Sequence, residues 1–375
     1  MHLHVVAFNI PWPADYGGVI DVFYRVKALA EAGVKVHLHC YAYGRTPAPA
    51  LEQLCEEVCY YQRRTGFCNQ LAVRPYIVQS RQSCQLLSRL QADNYPILLE
   101  GLHCCSLLEH LDASRRAVYV RAHNVEHDYY SSLAQAETTS WRRSYYRIEA
   151  NKLRRYEPVM LRATAVLAIS DKDAAHFRDL GCRNVVLLPP CHGNSNLCAL
   201  PGRGDYALYH GNLSVPENEK AVRYLLQDVF ADGRYRFIVA GRNPSDALRD
   251  AIAASSCTTL VANPDDETLD RLISQAQVNI LVTDQATGVK LKLLNALYRG
   301  RFCLVNSTMV QGTDLAQACM VADTPAEQRT ALDSLMALPF TEQHLQQRIA
   351  QLKTFAPAET IISLIESTMP KSVND

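Results

Sequence analysis

Two lysines pose the chemical question. Lys290 and Lys292 stand in or beside the first turn of a helical stretch that follows the polar turn Asp284-Gln285-Ala286-Thr287-Gly288. Ahead of that turn, Val278 to Val282 is an apolar run with β-branched residues, the pattern of a strand buried on both faces. Behind it, Val289, Leu293, Ala296 and Leu297 fall at helical spacing and Gly300 stands where a helix stops. Phe302 to Val305 then reads as another strand. The amino end of a helix favours anions, and a cation there is unfavourable by roughly 0.3–1 kcal/mol. A polyanion such as a nucleotide diphosphate would resolve that conflict. Two solvated lysines beside an ordinary turn is the alternative reading.

A second set of candidates lies at strand ends in the first half. Ile97 to Leu99 runs into Glu100, Gly101, Leu102 and His103, and Val118 to Arg121 runs into Ala122, His123 and Asn124. Ligands of open α/β sheets collect at the carboxyl ends of strands. His123 and His127 are four apart, a spacing that binds zinc when both lie in one helix and a third ligand joins them. His123 sits at a strand end, so that pairing is not expected. No Cys-x-x-Cys pair occurs. Trp141 to Tyr156 reads as a helix carrying Arg142, Arg143, Arg147, Lys152, Arg154 and Arg155 among aromatics, with only Glu149 opposing them. It is either a solvated face or a surface for an anionic membrane or a phosphorylated acceptor. One such helix is a poor footprint for nucleic acid.

The elements that must position these residues alternate strand and helix throughout. Leu3 to Phe8, a glycine turn at Gly17-Gly18, a helix through Ala30 and the strand Val34 to Cys40 form a βαβ opening. It lacks Gly-x-Gly-x-x-Gly, which argues against dehydrogenase-style dinucleotide binding. Arg45 to Gln91 is hard to read, with helices expected near 51–57 and 75–91. Ala165 to Ile169 is a strand, Ser170 an N-cap, and Val185 to Leu188 the last strand of this half. Prolines and glycines between Pro189 and Gly204 mark a linker. The pattern restarts at Tyr206 to His210, then the turn Gly211 to Asn218, a helix, and Tyr235 to Ala240 ending at Gly241-Arg242. Helices are expected at 325–338, 341–354 and 357–369.

Bulk numbers narrow the class. A chain of 375 residues exceeds what one core supports, so two domains are expected. Lys+Arg and Asp+Glu are 38 each, which leaves no global field to recruit nucleic acid. The first residues show no signal-peptide pattern and no apolar run spans a bilayer. Thirteen cysteines, several within apolar runs, suit reduced thiols and a cytoplasmic location.

The stretch from Val278 to Asn306 resembles the donor-binding segment of retaining family 4 glycosyltransferases. There the pattern Gly-Thr-Arg-x-Lys-x-x-Glu-Ala precedes a glycine and a strand, and Gly288, Lys290, Lys292, Asn295, Ala296 and Gly300 occupy those places here. Two departures are Asn295 and Thr287, where the family has a pair of glutamates. The resemblance implies the GT-B fold, an α/β arrangement of two Rossmann-like, doubly wound parallel-sheet domains facing a central cleft. Residues 1–195, joined by the helix 357–369, would form the acceptor-side domain, and 196–356 the nucleotide-sugar domain. It further implies that His123, Lys290 and Lys292 act in catalysis. Gly17, Gly18, Gly211, Asn212, Asn218, Gly241, Arg242, Thr287, Gly288, Val289 and Asn295 would bind the donor, and Glu100, His103 and Asn124 would position sugar or acceptor. The implied reaction is metal-independent, retaining transfer from a nucleotide-diphosphate sugar to a glycan or lipid-linked acceptor, with no cofactor beyond the donor. The segment 141–156 is a candidate peripheral membrane contact. Two rival readings are a non-catalytic nucleotide-binding relative and a non-hydrolysing sugar-nucleotide epimerase. The epimerase needs a carboxylate pair that the sequence does not place.

Overall fold

Short apolar runs recur through both halves of the chain, and they become parallel strands covered on both faces. The computed structural model describes all residues except 16, 113–114, 138, 195–196, 285–290, 353–356 and 369–375. In the first half the strands are β1 (His2–Ala7), β2 (Lys35–Ala42), β3 (Glu57–Gln62), β4 (Ile97–Glu100), β5 (Val118–Ala122), β6 (Ala165–Ala168) and β7 (Val185–Leu187). They form one sheet in the order β3-β2-β1-β4-β5-β6-β7, every pair parallel. In the second half β8 (Tyr206–Asn212), β9 (Arg236–Arg242), β10 (Thr258–Ala262), β11 (Val278–Leu281), β12 (Phe302–Val305) and β13 (Met320–Val321) form another. Its order is β10-β9-β8-β11-β12-β13, again all parallel. Each sheet is doubly wound, and the strand order reverses between β1 and β4 and between β8 and β11. Those reversals are the switch points at which ligands of such sheets bind.

The chain divides into two compact units, Met1–Gly193 with Phe355–Asp375, and Asn194–Thr354. The helix Pro357–Thr368 belongs to the first, and its Ile361 and Ile365 lie within that unit's core beside strand residues such as Leu3 and Val120. Local signals hold where they are strongest. Ser170 caps the helix Asp171–Asp179, its hydroxyl accepting from the Asp173 N–H, and Thr324 forms a full capping box with Glu327.

The stretch from Arg45 to Gln91 differs from expectation. The helix near 51–57 ends at Leu54, and Glu57–Gln62 is the edge strand β3. The expected 75–91 helix is two, Tyr76–Gln79 and Cys84–Leu90, the second capped by Ser83. Arg81 lies between them, buried, donating to the carbonyls of Phe8 and Ile77. Among the described residues no disulfide joins two cysteines, and no helix is long and apolar enough to cross a membrane.

Candidate functional site

At the carboxyl edge of the second sheet, β8 ends in Gly211-Asn212 and turns through Leu213 to Val215 into the helix Pro216–Tyr224. The Asn212 carboxamide accepts from the N–H and hydroxyl of Ser214 and so shapes the turn. Asn218, in the first turn of that helix, donates to the Asn212 carbonyl at 2.8 Å. Its Oδ1 accepts from the Tyr209 hydroxyl at 2.9 Å and from Lys292 Nζ at 2.9 Å. Lys292 also reaches the Tyr209 oxygen at 3.2 Å and lies 5.0 Å from that ring's centre. Lys292 belongs to the helix Leu291–Arg299, which follows β11, whereas Asn218 belongs to the helix that follows β8. Right-handed crossovers put those two helices on opposite faces of the sheet. The lysine therefore spans the β8/β11 switch point. Beneath it His210 is buried with Nε2 unpartnered, its pKa lowered to about 3 by burial and then by the Lys292 charge.

Other expected donor residues divide. Gly211 pairs in register with Gly241, and a Cβ on Gly241 would stand 2.0 Å from the Gly211 carbonyl oxygen. Gly241 thus lets two strand ends close-pack, and it is buried. Arg242 is exposed, 3.7 Å from Asp266. The Asn295 carboxamide accepts from Asn194 at 2.8 Å, and Asn194 in turn accepts from Arg299. Thr287, Gly288, Val289 and Lys290 lie outside the described residues.

Beyond the ends of β11, β12 and β13 a cavity of about 370 Å³ opens, lined by Glu217, Lys220, Thr283, Asp284, Asn306 and Asp323 among others. The Thr283 hydroxyl donates to Glu217, and the Asn306 carboxamide brackets the Thr283 backbone, donating to its carbonyl at 2.7 Å and accepting its N–H at 3.1 Å. Sequence reasoning gave no role to Tyr209, Glu217, Thr283 or Asn306. Glu217 stood in the quoted turn, and a carboxylate one residue before Asn218 was the signal available.

The first sheet carries a buried charge network at its own carboxyl edge. Asp21 Oδ2 accepts from Arg25 at 2.7 Å and Arg121 at 3.1 Å and faces His123 Nδ1 at 3.3 Å. Its Oδ1 accepts the Cys191 N–H at 2.7 Å. Glu100 accepts from Arg25 at 3.0 and 3.1 Å and lies 2.9 Å from His123 Nε2. Burial alone would push Asp21 up, but Arg121 and Arg25 outweigh it and hold the carboxyl well below the usual range; Glu100 is likewise lowered against burial by Arg25 and by His123. Both ring nitrogens of His123 thus face carboxylates, and the side chain is only 8% exposed.

Gly17 opens the helix Gly17–Glu31, and a Cβ on Gly18 would strike the Phe8 ring at 2.8 Å. That ring packs against both His103 and His123. Gly101 at φ +78° turns the chain so that His103 folds back over it. His103 is held well below its ordinary pKa by burial, with Arg81 adding to the effect, and its Nδ1 lies 3.9 Å from Glu126 without a hydrogen bond. Asn124 is half-buried between them in sequence. Burial raises the Glu126 carboxyl to about 7, so this group exchanges its proton near neutrality. Sequence reasoning gave Glu126 no role.

No family model matches the chain. An uncharacterized 44.6 kDa protein in the cps region of Klebsiella pneumoniae is 25% identical over 333 residues, covering 82% of this chain and 84% of that protein. Among solved structures, TarM superposes with a TM-score of 0.66 at 9% identity, covering 98% of both chains. The lipopolysaccharide outer core galactosyltransferase WaaB gives 0.62 at 11% identity, covering 98% of this chain and 99% of its own. An α,α-trehalose-phosphate synthase (UDP-forming) from Burkholderia xenovorans gives 0.61 at 12%, covering 98% and 100%. At such identities the likeness shows the fold alone, GT-B, and the two doubly wound parallel sheets agree with it.

Proposed function

We propose that this chain is a retaining glycosyltransferase that moves a sugar from a nucleotide-diphosphate donor to a glycan or lipid-linked acceptor. The observation that carries the reading is the Lys292–Asn218–Tyr209 cluster, a cation held across the switch point of a doubly wound sheet. The acceptor oxygen bonds to the anomeric carbon from the leaving-group face as the bond from that carbon to the diphosphate oxygen breaks. The acceptor's proton passes to a diphosphate oxygen. Lys292 offsets the charge that develops on the departing group, and Lys290 with the Gly288 and Val289 amides is assigned the same task. No metal enters this chemistry. Asn212 and Asn218 shape the donor turn, and Arg242 is a further cation for the nucleotide. In this reading His123 is a positioning residue, since both its nitrogens engage carboxylates. His103, Asn124 and Glu126 are then the groups offered to sugar or acceptor. A relative encoded in a cps region is in keeping with polysaccharide synthesis.

Calorimetry with a panel of nucleoside diphosphates, followed by donor-hydrolysis and transfer assays, tests the reading. Lys292→Ala should weaken diphosphate binding at least tenfold and slow transfer on the order of 10²–10³-fold. Unchanged binding and turnover in Lys292→Ala and in Lys290→Ala would overturn it. One observation favours a second reading, a non-catalytic binding subunit. Asn295, where the family resemblance calls for a carboxylate, accepts its hydrogen bond from Asn194. Tight diphosphate binding with no turnover of any donor would select that alternative.

A further inference from the structure

His127, excluded as a partner of His123, has other company. It lies in the helix Glu126–Ala136; Glu157 begins the 3₁₀ turn Glu157–Arg162; His176 lies in the helix Asp171–Asp179. His127 Nε2 stands 3.4 Å from Glu157 Oε2, and His176 Nε2 stands 2.7 Å from the same oxygen. The three ligand atoms lie within 4.8 Å of one another. Zinc bonds of about 2.0–2.2 Å would put tetrahedral neighbours about 3.3–3.5 Å apart, so small side-chain rotations bring this set to ligand spacing. Two imidazoles and one carboxylate suit zinc better than the all-oxygen shells of Mg²⁺ or Ca²⁺.

The surroundings agree. Nδ1 of His127 is buried without a hydrogen bond and lies 3.1 Å from the Asp128 carboxylate, near enough for a small rotation to make Asp128 the outer carboxylate that commonly orients a metal-bound imidazole through its far nitrogen. His127 and Glu157 are 8% and 3% exposed, whereas His176 is 30% exposed and leaves a route for an ion and a position for water.

We propose that His127, Glu157 and His176 form a binding site for a divalent transition ion, zinc foremost, that clips three otherwise separate helical segments of the first unit together. The ion takes the place of the protons that would otherwise lie between the rings and the shared carboxylate oxygen. It has no part in the proposed transfer step.

The test uses the full chain, stripped with chelator and dialysed. Titration with Zn²⁺ should reveal one site per chain whose filling raises the thermal midpoint, and Co²⁺ should give the visible d–d absorption of a bound, low-coordinate ion. His176→Ala should lose the Co²⁺ bands and weaken Zn²⁺ at least about tenfold. His176→Cys should keep the site and add a thiolate-to-Co²⁺ charge-transfer band. Equal Zn²⁺ binding by parent and His176→Ala, which would assign the ion to cysteines elsewhere, overturns the proposal. So does a Co²⁺ spectrum that stays that of the hydrated ion.

Discussion

At the scale of single residues, placement inside the fold decides what a side chain can do. His123 and His103 both stand at strand ends, yet one is gripped by two carboxylates and the other keeps an unpartnered nitrogen. Glu126 beside them shows how burial changes a carboxyl's behaviour. Its folded pKa, about 7, lies above the ordinary 4.5, so its contribution to stability is fully present below the ordinary value and is lost as pH rises through 7. Glu126→Gln should therefore stabilise the protein at pH 8, by up to ~3 kcal/mol, and change little at pH 5. Chemical denaturation at the two pH values measures this, and a pH-independent difference would contradict the assignment. The sequence could name Asp21 and Arg25 as a helical i, i+4 pair, but not their union with Glu100, which is 75 positions beyond Arg25.

At the scale of elements, strands buried on both faces were readable because apolar residues dominate each of them, as in Leu3 to Phe8 and Phe302 to Val305. The strand β3, Glu57-Val-Cys-Tyr-Tyr-Gln62, was not, because it is an edge strand with exposed ends and mixed polarity. The break between the helices Tyr76–Gln79 and Cys84–Leu90 was hidden because Arg81 looks like a surface residue and is instead an internal donor. The helix Ser140–Tyr156 was legible, with one difference. Glu149 is buried, bonded to Lys152 and to the Tyr76 N–H, so it does not temper the outer face. That face carries Trp141 at 67% and Ile148 at 55% exposure, with Arg142, Arg147, Arg154 and Arg155 exposed alongside. We expect the protein to sediment with anionic vesicles at low salt and not with neutral ones. Each basic residue near such a surface contributes about 1 kcal/mol, so the triple variant Arg142→Glu, Arg147→Glu, Arg154→Glu should lose at least ~100-fold in vesicle affinity. Equal binding to neutral vesicles would leave the helix a solvated face.

At the scale of the whole molecule, the two-sheet plan was open to reading from alternation alone, and the return of the last helix to the first unit was suggested by the resemblance. Ile365 is fully buried and Ile361 2% exposed in the core of a unit whose other residues end at Gly193. Ile365→Ala should cost 2–5 kcal/mol, roughly the usual penalty for emptying a core site. The loss should fall on the first unit's unfolding transition in calorimetry and spare the second. If both transitions shift together, the helix supports more than its own unit. The details of the turn after β8 were less legible, because Tyr209, Asn218 and Lys292 meet only after three separate elements have packed.

Asp21 accepts three hydrogen bonds at once, from Arg25, from Arg121 and from the Cys191 N–H 170 positions away, and faces His123 as well. The network sets two buried carboxylates, Asp21 and Glu100, against two buried guanidinium groups, Arg25 and Arg121, so neutralising any one of the four leaves an unbalanced buried charge. Exchange at these sites must therefore be concerted. A library that varies one position will return the parental residue, whereas viable substitutes will emerge only where Asp21, Arg25, Glu100, Arg121 and His123 vary jointly and turn apolar as a block.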